Sequence, residues 1–133
     1  MAVSIVRLGS ARIKDEGLRI GTVRRPPRGV PKAEFTRRNY YDVWLPNVAP
    51  SPETMKLGRA AKTEKEWKVF EKKYRAELAR PENLRIVELL AVVSGQTDFS
   101  VGCYCENEAR CHRSILGQIL AENGAVVWDR VPW

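Results

Sequence analysis

The stretch from Phe99 to Asn123, FSVGCYCENEARCHRSILGQILAEN, constrains the fold more than any other part of the chain. Phe99, Val101, Cys103 and Cys105 alternate with Ser100, Gly102 and Tyr104, which is the period of a strand. From about Arg110 the period becomes helical: His112, Ile115, Leu116, Ile119 and Leu120 fall on one face, and Gly124 supplies a stop. Ala125 to Trp128 then reads as a second buried strand. A strand, a helix and a strand in that order pair in parallel. Ligands of such units collect at the carboxyl end of the strand, where the next helix presents unbonded N–H groups and a partial positive charge. The sequence places Cys103, Cys105, Arg110, Cys111, His112 and Arg113 at that spot.

The rest of the chain supplies matching parts. Val3 to Leu8 and Leu18 to Val23 read as strands, and Tyr40 to Leu45 as a third that stops at Pro46. Ser51 followed by Pro52 is a helix start, with helix expected to about Ala61. Thr63 and Glu66 form a capping box ahead of a helix whose Trp67, Phe70, Tyr74 and Leu78 make one apolar stripe. Pro81 opens a further helix with Leu84, Val87, Leu90 and Ala91 inward, closed by Gly95. That aromatic stripe is read as core rather than as a cofactor box. Alternating strands and helices predict one α/β domain over residues 1–133, with a mostly parallel sheet covered by helices on both faces.

Charge and cysteine usage narrow the function classes. No apolar run approaches the ~18 residues of a membrane span, and no signal-like core follows Met1, so a cytoplasmic protein without membrane partners is expected. Three cysteines within nine positions are not the framework of a secreted disulfide domain and are read as thiols. Residues 1–38 hold ten Lys or Arg against three Asp or Glu, and residues 39–133 hold thirteen of each, so the whole net charge of +7 belongs to the N-terminal third. Arg24-Arg25-Pro26-Pro27-Arg28-Gly29-Val30-Pro31 concentrates it in a loop that three prolines stiffen, which lowers the entropy its arginines lose on binding. A cationic region of this kind implies an anionic partner, either a phosphorylated small molecule or nucleotide, or a nucleic acid.

The cysteine-histidine cluster admits several chemistries. Cys103, Cys105, Cys111 and His112 offer four zinc-type ligands, but the C-x-C-x5-C-H spacing departs from paired knuckles, and as helical neighbours Cys111 and His112 would point about 100° apart, so no metal site is assigned. A phosphatase loop needs five residues between its cysteine and arginine; Cys105 to Arg110 encloses four and Cys103 to Arg110 six. A thiol at a helix N-terminus beside arginines should still have its thiolate stabilised, which makes Cys111 the candidate nucleophile. Cys103 and Cys105 read foremost as small core residues bordering the site, and His112 reads equally well as a core histidine or an acid–base group. Asp129 stands where a ribose-binding acid would, yet the turn before the helix lacks the glycines that let a pyrophosphate approach.

Two motifs carry a family resemblance. Arg19-Ile20-Gly21-Thr22-Val23-Arg24-Arg25-Pro26-Pro27-Arg28-Gly29 resembles the R-I-x3-R-x2-P-R-G motif of the YeaO-like family, domain of unknown function 488, and Cys103-x7-Cys111-His112-Arg113-Ser114 resembles its C-H-R segment. The resemblance implies a Rossmann-like fold in which the basic N-terminal loop and the C-H-R helix start meet over one site, and it implies no particular activity. Arg24, Arg28 and Gly29 map onto the first motif, and Cys111, His112 and Arg113 onto the second. The leading expectation is therefore a phosphate or nucleotide site held by Arg24, Arg28, Gly29, Arg110 and Arg113, bordered by Cys103 and Cys105, with His112 and Cys111 as catalytic candidates and the cofactor unknown. The alternative is a nucleic-acid module in which Arg24, Arg25, Arg28, Arg37 and Arg38 contact phosphates while Tyr40, Tyr41 or Trp44 stack on bases.

Overall fold

The computed structural model describes residues 1–105 and 111–128. Five strands, β1 (Val3–Arg7), β2 (Leu18–Gly21), β3 (Val43–Trp44), β4 (Phe99–Cys103) and β5 (Val127–Trp128), form one sheet in the order β3-β2-β4-β1-β5, with every pair parallel. The helices are α1 (Pro52–Ala60), α2 (Glu64–Leu78), α3 (Pro81–Ser94) and α4 (His112–Glu122). Among the described residues no helix is long and apolar enough to cross a membrane. The α/β fold with a parallel sheet is as the alternation of elements predicts. The predicted third strand is shorter than Tyr40 to Leu45: only Val43 and Trp44 pair in register with Ile20 and Gly21, flanked by the Asp42 N–H on the Arg19 carbonyl and the Leu45 N–H on the Gly21 carbonyl.

Strand parity separates two different interiors. Ile5, Val101 and Ile20 stand in one row across the three central strands and, with Val3 and Phe99, meet the stripes of α2, α3 and α4 in a single apolar core. The predicted capping box of Thr63 and Glu66 starts α2, and its Trp67, Phe70, Tyr74 and Leu78 are all buried. On the opposite face the equivalent row is polar, Ser4, Ser100 and Arg19. Glu16 lies against it, its carboxylate accepting from Arg19 Nε at 2.7 Å and Nη2 at 2.9 Å and from Ser100 Oγ at 2.6 Å. The remaining guanidinium N–H groups go to the carbonyls of Ser10, Asn39 and, at 3.5 Å, Ala11. Arg19 thereby fastens two loops over this face, and the Tyr41 ring fills the space above Gly21. The second face is thus sealed by loops rather than by the helices expected there.

Crossover handedness explains this asymmetry. Right-handed parallel connections that move one way along a sheet run over one face, and those that move the other way run over the opposite face. The loops after β1 and β2 both step toward the β3 edge, whereas the α1–α3 segment and α4 both step toward the β5 edge. At the carboxyl ends of the neighbours β2 and β4 the chain therefore departs in opposite directions. Such a divergence opens a crevice, the usual ligand position in open parallel sheets.

Candidate functional site

The crevice between β2 and β4 widens into a cavity of about 870 Å³. Its walls come from the arginine-proline loop after β2 (Arg24, Arg25, Pro27 and Arg28), the end of β4 (Cys103, Tyr104 and Cys105), His112 at the start of α4, and Met55 and Arg59 of α1. The size falls within the range of small-molecule pockets. Four arginines line it, and no carboxylate does among the described residues.

The loop is held from both sides. Arg24 donates from Nε to the Pro50 carbonyl at 3.1 Å and from Nη2 to the Ala49 carbonyl at 2.9 Å, tying the loop to the segment that leads into α1. Tyr104 Oη donates to the Arg25 carbonyl at 2.9 Å, tying the loop to β4. The side chains of Arg25 and Arg28 are exposed over the cavity. Gly29 takes a left-handed φ of +72°, which favours glycine, and turns the chain away outside the cavity wall.

His112 is buried and reaches β2: its Nε2 lies 2.8 Å from the Thr22 carbonyl. A carbonyl only accepts, so Nε2 carries the proton and Nδ1 keeps its lone pair. Burial pushes the imidazole pKa down to about 4, against the pull of the Thr22 carbonyl, and the Arg113 charge lowers it further. The ring stands edge-on to Tyr74 with centroids 5.8 Å apart, and Tyr74 Oη donates to the Val48 carbonyl at 2.6 Å. His112 is therefore a neutral group fixed in one tautomer at the cavity floor.

The remaining sequence-predicted residues divide. Cys111 is buried behind the cavity wall and paired with Cys103 in a disulfide. It is not helical: as the N-cap of α4 it is extended, with φ −133° and ψ 145°. The sulfur left as a thiol at the cavity is Cys105, whose pKa burial pushes up despite the Arg113 and Arg59 charges. Arg113 is fully buried, with Nη1 bonded to the Cys105 carbonyl and 3.6 Å from Cys103 Sγ, so it shapes the corner after β4 and does not face the cavity. Arg110 and Asp129 lie outside the described residues. Among residues named for base stacking, Tyr40 lines the cavity, Tyr41 is buried over Gly21, and Trp44 donates its indole N–H to the Val23 carbonyl. Arg37 is paired with Glu34.

Sequence reasoning missed Arg59, Met55, Tyr104 and Thr22. Met55 and Arg59 share a face of α1 at i,i+4 spacing, but nothing local says that this face meets β4.

A scan against protein-family models matches residues 3–124 to the family described as the active DUF488-N3 subclade, DUF488-N3a. No curated protein and no solved structure matches the chain. The match spans the arginine-proline loop, the β4 corner and all of α4, and the chain accordingly belongs to the DUF488 (YeaO-like) family, in its N3a subclade.

Proposed function

We propose that the cavity binds a small phosphorylated molecule or nucleotide and that the protein acts on it. The observation that carries this reading is the convergence of Arg24, Arg25, Arg28 and Arg59 on one crevice at the point where the chain diverges from β2 and β4. Guanidinium groups pair bidentately with phosphate oxygens, and a loop braced by Arg24 and Tyr104 loses little freedom on binding. Arg25, Arg28 and Arg59 supply charge, Arg24 supplies position, and the Tyr40 and Tyr104 rings offer flat surface for a base or sugar. His112, neutral and with Nδ1 available, serves as an acceptor that orients a ligand or a water rather than as a cation. Cys111 as the nucleophile fits less well, because its sulfur is buried and joined to Cys103.

Thermal denaturation against inorganic phosphate, nucleoside monophosphates and sugar phosphates tests the proposal. A ligand at a hundred times its Kd should add about 2.7 kcal/mol, a rise of about 10 °C for a domain of this size. Arg28→Ala with Arg59→Ala should remove that rise while leaving the unliganded melting point within about 2 °C, since both side chains are exposed. No rise with any compound, or a rise indifferent to both substitutions, rejects the pocket. Binding of single-stranded nucleic acid that weakens steeply with salt would favour the nucleic-acid reading instead.

A further inference from the structure

Beneath the arginine wall lies a second constellation, which shares His112 with the anion-binding reading and adds two buried sulfurs. Cys103, Cys111 and His112 each contribute one potential ligand atom, and the three atoms lie within 4.8 Å of one another. All three residues are buried, with exposures of 1%, 1% and 4%. We propose that in the reduced protein Cys103, Cys111 and His112 bind a thiophilic divalent cation of the zinc type, with a fourth coordination position opening into the cavity.

Four features support the assignment. First, the objection raised by sequence, that adjacent helical residues diverge, does not apply. Cys111 has extended backbone angles while His112 begins the helix, so both side chains turn toward Cys103. Second, the Cα atoms of Cys103 and Cys111 stand 7.8 Å apart. A disulfide usually spans about 4.4–6.8 Å between Cα atoms, whereas two thiolates bound tetrahedrally at about 2.3 Å hold their sulfurs about 3.8 Å apart and so need the wider spacing.

Third, the outer hydrogen bonds suit a bound cation. The Thr22 carbonyl holds the His112 Nε2 proton, which fixes the tautomer and leaves Nδ1 as a donor of electrons, the usual arrangement around a ligating imidazole. Arg113 Nη1, 3.6 Å from Cys103 Sγ, directs an N–H at the same sulfur. Two thiolates balance the charge of a divalent cation, which lowers the cost of burying it. Fourth, Cys103 and His112 also line the cavity. Two sulfurs and one nitrogen with an open position is the ligand count of a catalytic rather than a structural zinc centre. The site borders the anion pocket and shares His112 with it, but its other ligands are sulfurs and it uses none of Arg25, Arg28 or Arg59.

The test uses the full chain with cobalt(II) as the probe. Tris(2-carboxyethyl)phosphine first reduces the disulfide: the S–S bond takes up two electrons and two protons, and the phosphine becomes its oxide with oxygen from water. After removal of metals with a chelator, cobalt titration should give a thiolate-to-cobalt charge-transfer band saturating at one ion per chain, and zinc should bleach it. Cys103→Ser, Cys111→Ser and His112→Ala should each weaken cobalt binding by at least about tenfold, the loss that even an outer partner causes. Cys105→Ser should leave it within about twofold. Circular dichroism checks that each variant folds. Should a variant unfold, zinc bound per chain in the reduced wild type and the protection of two of its three thiols from alkylation by zinc decide the matter. Absence of the band and of such protection overturns the proposal, as does a band that Cys105→Ser abolishes and His112→Ala leaves intact. Phosphate-induced stabilisation, measured on the metal-free protein, reports on the arginine pocket separately.

Discussion

Glu16→Gln is the substitution whose consequence the structure fixes most closely. Glu16 and Arg19 are 2% and 0% exposed, and the bidentate pair is backed by Ser100 Oγ at 2.6 Å and by the Ile13 N–H. Removing the carboxylate charge leaves a buried guanidinium without its counter-ion, which costs about 3–5 kcal/mol. For 133 residues the unfolding entropy is about 0.28 kcal/mol per degree, so the melting point should fall by about 11–18 °C. Burial raises the Glu16 pKa, but the hydrogen bonds and charge of Arg19, the Ser100 hydroxyl and the Ile13 N–H outweigh it, and the net shift is downward from 4.5. A lowered carboxylate pKa means that the unfolded chain takes up its proton first as the solution is acidified. Glu16 therefore stabilises fully above pH 4.5 and loses that contribution as the pH falls through its lower native value. The gap between wild type and Glu16→Gln, followed by calorimetry from pH 7 to pH 3, should accordingly be widest near neutrality and narrow in acid. A neutral-pH difference below about 1 kcal/mol, or a gap that does not narrow, refutes the view that this pair anchors the loops. Arg85→Ala, which breaks an exposed pair with Glu88, serves as the control and should cost less than about 0.5 kcal/mol.

Other substitutions probe the supports of the site. In Gly102→Ala the new Cβ would lie 2.6 Å from the Val6 carbonyl oxygen, part of the sheet backbone, whereas in Gly21→Ala it meets the buried Tyr41 ring, a side chain, at 2.3 Å. Both should lower the stability measured by urea denaturation, by about 1–3 kcal/mol for Gly21→Ala and more for Gly102→Ala. Tyr74→Phe orphans the buried Val48 carbonyl and should cost about 1–3 kcal/mol in the same assay. Tyr104→Phe removes the tie between β4 and the Arg25 carbonyl, so proteolysis within the arginine-proline loop should quicken while the melting point changes by only about 1–4 °C.

The period-two run in β4 and the helical stripe of α4 were legible because a two-sided buried strand and a one-sided helix need different spacings, and one segment held both. The capping box at Thr63, the proline starts at Pro52 and Pro81 and the stripe of α2 were equally readable, since each depends on residues within a few positions of one another. The arginine-proline loop and the Cys-His-Arg corner could be named as parts of a site for the same reason.

Whether each named residue faces the cavity was decided by partners far away in sequence. The residues adjacent to Arg19 and Arg113 do not say which distant groups hold their guanidinium groups. The first is consumed by Glu16 and three loop carbonyls, and the second by the corner it props. Arg59, unremarked in sequence, reaches the cavity because α1 lies beside the end of β4. Composition and local spacing thus determined an α/β chain with a charged loop and a cysteine-histidine helix start, because periodicity and capping are local physics. Strand order decided the rest: placing β2 beside β4 makes the chain part in opposite directions there, and only that long-range pairing sets four arginines over one imidazole and two sulfurs.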